Sequence, residues 1–290
     1  MSENNKEKNE EKENKVIELF GINKNNKKEI KEAIEEQLCP YLDKKCTKTR
    51  KSNPETSIGT CVVKYQDKDI IICPHRLTEN NQIFIDCFHL LTLHEPGNEL
   101  YLIPEVSIPG GHVDYFLVSA KNKKVKDFVG IELQTLDTTG TVWPERQRLL
   151  KDCKVEISKD DTNDKKGFSI NWKMTTKTIL MQMHHKSETF EYINKHLVLI
   201  IQDPLLNYMK KEFSFDHISG VRLGDPVHIH SYGVKNENDS IKLELNTRLS
   251  TDALGIAKSL NLNVNPKVEL AEIIELLEDR LSDDNRLKIF

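Results

Sequence analysis

The sequence predicts a mixed α/β (α+β) protein in which helices flank a central sheet, with a small cysteine-rich module near the N-terminus. Three observations support this fold class. Apolar runs rich in β-formers recur from about residue 82 onward. Segments with helical periodicity lie before, between and after these runs. Four of the six cysteines fall within residues 39–73.

The N-terminal part of the chain divides into a tail and a small unit. Residues 1–15 are nearly all Lys, Glu and Asn, so we expect residues 1–25 to form a disordered or poorly ordered tail. In KKEIKEAIEEQL, Ile30, Ile34 and Leu38 lie four residues apart, which predicts an amphipathic helix that ends at Cys39-Pro40. Residues 26–78 then hold this helix and the cysteine module, and residues 79–290 hold the larger core with its C-terminal helices.

Within the larger core, six apolar runs are typical of strands and four segments are typical of helices. The strands are LYLIPEVSI, HVDYFLV, DFVGIELQTL, HLVLIIQ, VHIHSYGV and SIKLELNTRL. The helices are NWKMTTKTILMQMHHKSETFEYINK, PLLNYMKKEF, STDALGIAKSL and PKVELAEIIELLEDRL, the last with Pro266 at its start.

Composition and charge limit the class of protein. The chain has 290 residues, is 37% hydrophobic and 30% charged, and carries a net charge of −4. No apolar run approaches the roughly 18–20 residues needed to span a bilayer. MSENNKEKNEEKENK lacks the apolar region of a secretory signal, so we expect no membrane partner, a cytoplasmic location and reduced cysteines.

The negative net charge argues against a protein that coats DNA without sequence preference. It is compatible with a local basic groove, because phosphates respond to the local field. One such excess is DKKCTKTRK, with five cationic side chains against one acid, which forms either a solvated or a phosphate-contacting loop.

The four clustered cysteines predict a structural metal site. They follow the spacing C-x6-C-x14-C-x11-C, without the C-x2-C knuckle of common zinc fingers, and are Cys39, Cys46, Cys61 and Cys73. The segment has little apolar core, so a metal would supply the missing folding free energy, on the order of 10 kcal/mol. Iron and Zn²⁺ suit four thiolates equally, and four unrelated buried thiols are the alternative. We expect no metal role for Cys87 or Cys153, and His75 is either a fifth ligand or a loop residue.

Two acidic residues lie within predicted strands. Asp114 shares a face with His112 and Phe116, and Glu132 shares a face with Gln134. If the two strands pair through the lysine-rich turn between them, the carboxylates lie side by side, and a hard divalent cation would relieve their repulsion. Such a cation activates water and stabilises a phosphoryl transition state. Solvated charges on one face of the sheet are the alternative.

Three ordered segments together carry a resemblance to a known family. The four cysteines, VDYFLV followed by GIELQTLDTTGTVWPERQR, and NWKMTTKTILMQMHHK resemble the NotI-type type II restriction endonucleases over roughly residues 38–230. The resemblance implies a restriction-endonuclease-like mixed sheet, a variant of the PD-(D/E)xK nucleases, and iron held by the four thiolates, with Zn²⁺ as the alternative. It implies Mg²⁺-dependent cleavage of both strands of double-stranded DNA at a palindromic, G+C-rich site, leaving 5′-phosphate ends. A palindrome read by one kind of chain implies a homodimer.

The same resemblance assigns the catalytic residues. It implies that Asp114 and Glu132 are magnesium ligands and that Gln134 takes the place of the usual lysine. Because glutamine cannot act as a base, water activation is left to the metal or to a phosphate of the DNA. Glu105 is the additional upstream catalytic acid in this reading, and Glu99 competes with it.

Six basic residues are candidates for contact with DNA: Lys48, Arg50, Arg146, Arg148, Lys173 and Lys177. Arginine reads guanine through O6 and N7, but phosphate contact or solvation explains each arginine equally well. Lys173 and Lys177 lie four residues apart on one face of the predicted long helix, where an exposed cationic face is the alternative.

Other functions also fit parts of the sequence. His184-His185 and the pair His228 and His230 suit a histidine-metal nuclease, although packed or surface histidines explain both pairs. A non-catalytic, metal-stabilised DNA-binding protein is one alternative to a restriction enzyme. A repair or recombination nuclease with little sequence preference is the other.

Overall fold

The computed structural model describes residues 14–157, 167–237, 240–262 and 274–275. Its strands are β1 (Val16–Leu19), β2 (Ile22–Asn23), β3 (Leu38–Cys39), β4 (Lys44–Lys45), β5 (Thr49–Arg50), β6 (Asn53–Ser57), β7 (Thr60–Tyr65), β8 (Lys68–Ile71), β9 (Glu99–Ile108), β10 (Gly111–Lys121), β11 (Lys124–Leu133), β12 (Thr138–Thr139), β13 (Ser169–Ile170), β14 (His196–Gln202), β15 (Ser219–Gly220), β16 (Val227–Glu237) and β17 (Ser240–Thr251). Its α-helices are α1 (Lys27–Glu36), α2 (Gln82–Cys87), α3 (Trp143–Asp152), α4 (Trp172–Tyr192), α5 (Asp203–Glu212) and α6 (Ala253–Ser259). Two 3-10 helices cover Pro74–Asn81 and Phe88–Leu90.

A mixed seven-stranded sheet forms the centre of the molecule, in the order β15-β17-β16-β14-β11-β10-β9. Strands β11, β14 and β16 run parallel, and the other neighbouring strands pair antiparallel. The six predicted strands of the larger core are all present, so the predicted mixed sheet flanked by helices is confirmed. Parallel neighbours need long crossovers, which α4 supplies between β11 and β14 and α5 supplies between β14 and β16.

The predicted helices are present wherever the structure describes them. The segment KKEIKEAIEE forms α1, which ends at Glu36, so the predicted end at Cys39-Pro40 is wrong: Gln37 caps the helix in the left-handed conformation and Leu38 begins β3. The long segment without Gly or Pro contains α4, and PLLNYMKKEF and STDALGIAKSL contain most of α5 and all of α6. The last predicted helix, over PKVELAEIIELLEDRL, lies outside the described residues except at Ile274 and Glu275, which are helical. None of the described helices is long and apolar enough to cross a membrane.

The two faces of the central sheet carry separate apolar cores. One face packs against α4 and α5 and includes Leu180, Met183, Phe190, Leu199 and Ile229. The opposite face packs against α2 and includes Ile83, Phe84, Ile131, Val198 and Ile200. The strands at the centre of the sheet are therefore apolar on both sides, as expected for parallel strands.

Part of the expected N-terminal tail is ordered. The sequence predicts a tail over residues 1–25, but Val16–Leu19 forms a buried strand that pairs antiparallel with β7. That prediction is wrong for residues 14–25, because Val16, Leu19 and Phe20 bury apolar side chains that the polar composition of residues 1–15 obscures. Residues 1–13 lie outside the described residues.

The small N-terminal sheet, β2-β1-β7-β8, is joined to the central sheet. Gln202, at the end of β14, accepts a hydrogen bond from the Ile71 N–H at 3.0 Å and donates one to the Asp69 carbonyl at 2.7 Å. Val63 and Ile70 pack into the same core as α4. The segment around the cysteines therefore obtains its apolar core from the larger unit.

A buried arginine links three parts of the chain. Arg76 is fully buried and pairs with Glu18 of β1 at 2.8 Å and with Glu79 at 2.7 Å. It also donates to the Ile241 carbonyl of β17 and lies over the Tyr41 ring at 5.3 Å. Burial raises the pKa of Glu18, and the guanidinium opposes that rise.

The substitution Arg76→Met should lower the free energy of unfolding by about 3–5 kcal/mol, because it leaves Glu18 buried without its cation. Urea denaturation followed by circular dichroism measures the change. Lys64→Met is the matched control, since its pair with Asp69 leaves the lysine half-exposed, and we expect little change there. Equal stability of the two variants would contradict the role assigned to Arg76.

Candidate active site and cysteine module

Three acidic residues form one row across the edge of the central sheet. One position beyond the pair of Tyr115 with Ile131, the antiparallel register of β10 and β11 brings Asp114 alongside Glu132. On the other side of β10, Glu105 lies unpaired between Pro104 and Val106 of β9, close to Asp114. Glu99 pairs instead with Ala120, six residues from Asp114 along β10, or roughly 20 Å. Of the two candidates for the third acid, the structure brings only Glu105 into the row.

The backbone at Glu105 is unusual for a strand. Its φ is 53°, in the left-handed region, and the pairing of β9 with β10 skips this residue between Pro104 and Val106. Such a conformation costs a non-glycine residue on the order of 1–3 kcal/mol and recurs at functional sites. The exposed Glu105 carboxylate is close enough to Asp114 to raise its pKa.

Asp114 and Glu132 occupy environments that disfavour their charged forms. Burial raises the pKa of Asp114, although its Oδ2 accepts a hydrogen bond from the Leu133 N–H at 2.8 Å. Burial also raises the pKa of Glu132 to about 7, and the neighbouring Asp114 adds to that rise. Both carboxylates therefore gain from a nearby cation.

Lys186 supplies a cation that the sequence reasoning missed. Its Nζ donates to Glu132 Oε1 at 2.7 Å, and the two side chains are only 5% and 4% exposed. Lys186 lies on α4, 54 residues after Glu132, so no local spacing pointed to it. A signal was present, because Lys186 occupies the buried stripe of α4 with Met183 and Phe190, where an apolar residue is expected.

Gln134 does not take up the position of the missing lysine beside Glu132. Its backbone N–H donates to the Ile200 carbonyl at 2.9 Å, and its side-chain amide donates to the Thr135 carbonyl. Gln134, at the lysine position of the motif, therefore hydrogen-bonds to the backbone. The ammonium group beside Glu132 comes instead from Lys186 on α4.

The turn between β9 and β10 fixes where α4 passes the sheet. Thr189 donates to the Pro109 carbonyl at 2.9 Å. Gly110 has φ 98°, and a Cβ there would lie 2.4 Å from the His185 carbonyl oxygen. A Cβ on Gly111 would lie 3.3 Å from the Lys186 side chain. The two glycines allow the close approach that places Lys186 at the row of acids.

The donor set of this site fits Mg²⁺. Within the described ranges, no three His, Cys, Asp or Glu side chains are grouped closely enough to bind a metal ion by themselves. Mg²⁺ does not require such a group, because it is usually held by one or two carboxylates together with waters and substrate phosphates. Each carboxylate has about four lone-pair sites, so the hydrogen bonds to Asp114 and Glu132 leave room for a cation.

The four cysteines line one cavity of about 250 Å³, which Lys48 and His75 also border. The β3–β4 hairpin holds Cys39, and Cys61 lies on β7. A hydrogen bond from Cys61 and the positive charge of Lys48 lower the pKa of Cys73. The sulfur donors suit iron or Zn²⁺, although they are not gathered as closely as a metal cluster in the described structure. Cys87 shares an apolar core with Cys61 and Cys73, and Cys153 packs in the core that Cys46 borders, but neither of them lines the cavity.

Two of the six basic candidates are engaged in packing around the cysteine module. Arg146 is 1% exposed, donates to the Ile58 carbonyl at 2.8 Å and lies over the Trp143 ring. Lys48 donates to the Ile72 carbonyl at 2.9 Å, beside the cysteine cavity. In these positions Arg146 is withdrawn from solvent, whereas Lys48 is exposed and its ammonium group is hydrogen-bonded to the protein.

The other four candidates reach the surface to different degrees. Arg148 pairs with Glu145 at 2.7 Å, and the guanidinium group of Arg50 lies 4.7 Å from the centroid of the Trp143 ring. Lys173 and Lys177 are exposed on α4. Lys177 lies nine residues before Lys186, ~14 Å along the axis and on the other side of the helix.

The histidine pairs do not join the row of acids. His228 and His230 are fully buried on the opposite face of the sheet, where burial lowers their pKa values to about 4 and about 3. Cys87 lies 3.8 Å from His230. His184 and His185 contact each other on α4. The strand pair is therefore packed in the core as neutral imidazole.

Comparison with known proteins agrees with this geometry. A profile of the family described as restriction endonuclease NotI matches residues 25–223, which include α1, the four cysteines, the row of acids, α4 and α5. No curated protein gives a significant match to the chain. Because the profile covers well over half of its length, the chain belongs to the NotI restriction endonuclease family, whose members are type II site-specific deoxyribonucleases that act on DNA.

Proposed function

We propose that this restriction endonuclease hydrolyses both strands of double-stranded DNA at a palindromic, G+C-rich site, in a Mg²⁺-dependent reaction that leaves 5′-phosphate ends. The observation that supports the proposal best is the row of Glu105, Asp114 and Glu132 across three strands of one sheet edge. Carboxylates at adjacent strand positions provide the hard oxygen donors that Mg²⁺ prefers, next to open solvent at β9.

In this proposal Asp114 and Glu132 hold the metal ion, and Glu105 is the additional acid. When bound, Mg²⁺ supplies positive charge to the phosphate and lowers the pKa of a coordinated water. Water attacks phosphorus, the bond from phosphorus to O3′ breaks, and the proton lost by the water balances the one gained by O3′. The Leu133 N–H holds Asp114 in place, and Gln134 contributes through the backbone turn rather than as a base.

The proposal includes a homodimer. Each chain provides a single row of the three acids, and hydrolysis of two antiparallel strands at a palindrome requires two equivalent sites. A twofold axis through the dimer and the DNA would place one row on each strand.

The proposed DNA contacts follow from exposure. Lys173 and Lys177 present free surface on α4 and are assigned to phosphates. Arg50 and Arg148 are assigned to contact with DNA beside the cysteine module, where a guanidinium group suits either guanine or phosphate. Lys48 and Arg146 donate hydrogen bonds to backbone carbonyls, and these bonds assign them instead to holding the module together.

The proposal also gives the cysteine module a structural iron or Zn²⁺ ion, held by Cys39, Cys46, Cys61 and Cys73. The support is their common cavity, which brings four sulfur donors of the kind that iron and Zn²⁺ prefer to one place. Four protein ligands leave no open position for water, so the ion would contribute to folding and not to hydrolysis.

The isosteric substitution Asp114→Asn should lower the single-turnover rate of plasmid cleavage on the order of 1,000-fold, equivalent to ~4 kcal/mol, because a charged metal ligand is lost. Specific DNA binding, measured with Ca²⁺ in place of Mg²⁺, should persist. Glu99→Gln is the control, since Glu99 lies outside the row, and it should cleave at the parent rate.

The pattern of products separates this function from its rivals. Discrete fragments from the parent protein support a restriction enzyme, and sequencing their ends gives the target and the overhang. A smear indicates a nuclease with little sequence preference. DNA binding without cleavage indicates a binding protein. Discrete fragments that persist with Asp114→Asn would contradict the assigned metal ligand.

Replacing Lys173 and Lys177 with glutamine should weaken binding to all duplexes alike. The slope of log K against log salt concentration should fall by about 1.8, because two phosphate contacts contribute roughly 0.9 each. Fluorescence anisotropy over a salt series measures the slope. Lys210 and Lys211, exposed on α5, provide a control double substitution with the same charge change. An unchanged slope for the α4 variant argues against phosphate contact there.

Elemental analysis of the purified protein should find one iron or zinc atom per chain. Cys46→Ser should lower both the metal content and the melting temperature, because a missing ligand weakens a metal that contributes to folding. Cys153→Ser should keep the metal, since Cys153 does not line the cysteine cavity. A folded parent protein without metal would end this part of the proposal.

A further inference from the structure

We propose that Lys186 is a positioning residue for the cleavage reaction: from helix α4 it fixes the carboxylate of Glu132 and brings to the site the ammonium group that the motif lacks at Gln134. The inference rests on the proposed function, because it assigns Lys186 a role toward a carboxylate that is itself proposed to act there. It concerns a residue that lies far from the strand motif in sequence.

The contact itself is short and shielded from water. Lys186 Nζ lies 2.7 Å from Glu132 Oε1, and both side chains are about nineteen-twentieths buried. Lys186 is also close enough to Asp114 for its charge to act on that carboxylate. One ammonium group therefore acts on both carboxylates of the site.

Stability alone does not explain this pair. Lysine is almost never fully buried unless it is paired, and well-packed apolar residues are often as stabilising as a buried ion pair. Lys186 lies between Met183 and Phe190 on the apolar stripe of α4, where an apolar residue facing an apolar partner in place of Glu132 would fill similar space without desolvating two charges. A charged pair at this position is better explained by the chemistry of the adjacent carboxylates.

The surrounding backbone holds Lys186 in one place. The hydrogen bond from Thr189 to Pro109 and the close contact of Gly110 with His185 attach α4 to the β9–β10 turn on either side of Lys186. Gly111 leaves space for the lysine side chain itself. Such support on rigid elements keeps a functional group within the narrow geometry that catalysis needs.

The test compares Lys186→Met with Lys186→Arg and Lys186→Gln in the full chain. In Lys186→Met the single-turnover cleavage rate should fall about 10- to 100-fold, the usual effect of removing a group that orients a metal-bound ligand. Its Kd for specific DNA should stay within about two-fold of the parent value, since the substitution does not affect interactions that are equally strong in the ground state and the transition state. Lys186→Arg, which keeps the charge and donor, should recover most of the lost rate.

A readout independent of cleavage is Mn²⁺ binding without DNA, followed by electron paramagnetic resonance. Mn²⁺ accepts the same carboxylate ligands as Mg²⁺. Lys186→Met should bind Mn²⁺ at least as tightly as the parent, because the competing ammonium is gone, whereas Glu132→Gln should bind it more weakly. Slow cleavage with intact metal and DNA binding is the expected signature of a positioning role.

Lys195→Met provides the matched control. Lys195 is another largely buried lysine that pairs with a carboxylate, Asp127, at 2.6 Å, but it lies outside the row of acids. It should lose stability while its folded fraction cleaves at the parent rate. If Lys186→Met behaves in the same way, the role is structural and the inference is overturned.

Failures of the two proposals are distinguishable. A parent protein that neither cleaves DNA nor binds Mn²⁺ contradicts the proposed function. A parent that does both, with full cleavage rates in Lys186→Met, contradicts only the role of Lys186. If Lys186→Met does not fold, Lys186→Gln decides, since it keeps a hydrogen-bond donor but removes the charge.

Discussion

The register of three antiparallel strands, β9, β10 and β11, is the constraint on which the candidate site depends. Side chains alternate across a strand, so a slip of one residue would move Asp114 to the other face of the sheet, away from Glu132. The register is held by pairs on both sides of β10 and by apolar residues on the same face as the acids, such as Phe116 in the core under α4. The row of acids is thus a consequence of core packing, and Glu105 joins it only through a strained backbone.

Burial of Asp114 and Glu132 disfavours their charged forms, and a cation on α4 offsets this effect. Glu132 lies next to Leu199 of the parallel strand β14, in the interior of the sheet, and its pKa is raised there by desolvation. A helix packed on the same face must then either avoid the carboxylate or supply a cation. Helix α4 supplies Lys186, and the glycine turn before β10 lets the helix come close enough to do so. The apolar core and the charged site are therefore built by the same contact between helix and sheet.

The sequence predicts those features of this arrangement that depend on nearby residues. Period-two runs indicate the strands, and the short lysine-rich turn indicates that Asp114 and Glu132 pair, because hairpins bring close neighbours in the chain together. The contact of Lys186 joins residues 54 positions apart, so it depends on the crossover geometry of β11, α4 and β14 and has no local pattern. The packing of Arg146 under Ile58 is of the same kind, since exposure of an arginine is a tertiary property. The buried strand at Val16 was obscured by the polar residues before it.

The position of the cysteine module follows from the same sheet. Gln202 is the last residue of β14, the neighbour of the strand that carries Glu132. Its side-chain amide makes two hydrogen bonds to the backbone of β8. Arg76 follows Cys73 by three residues and joins Glu18 and β17 in one buried network. Folding of the module and of the central sheet is therefore coupled, because each buries residues of the other. In the proposed function, a metal held by the cysteines would stabilise the sheet through these contacts.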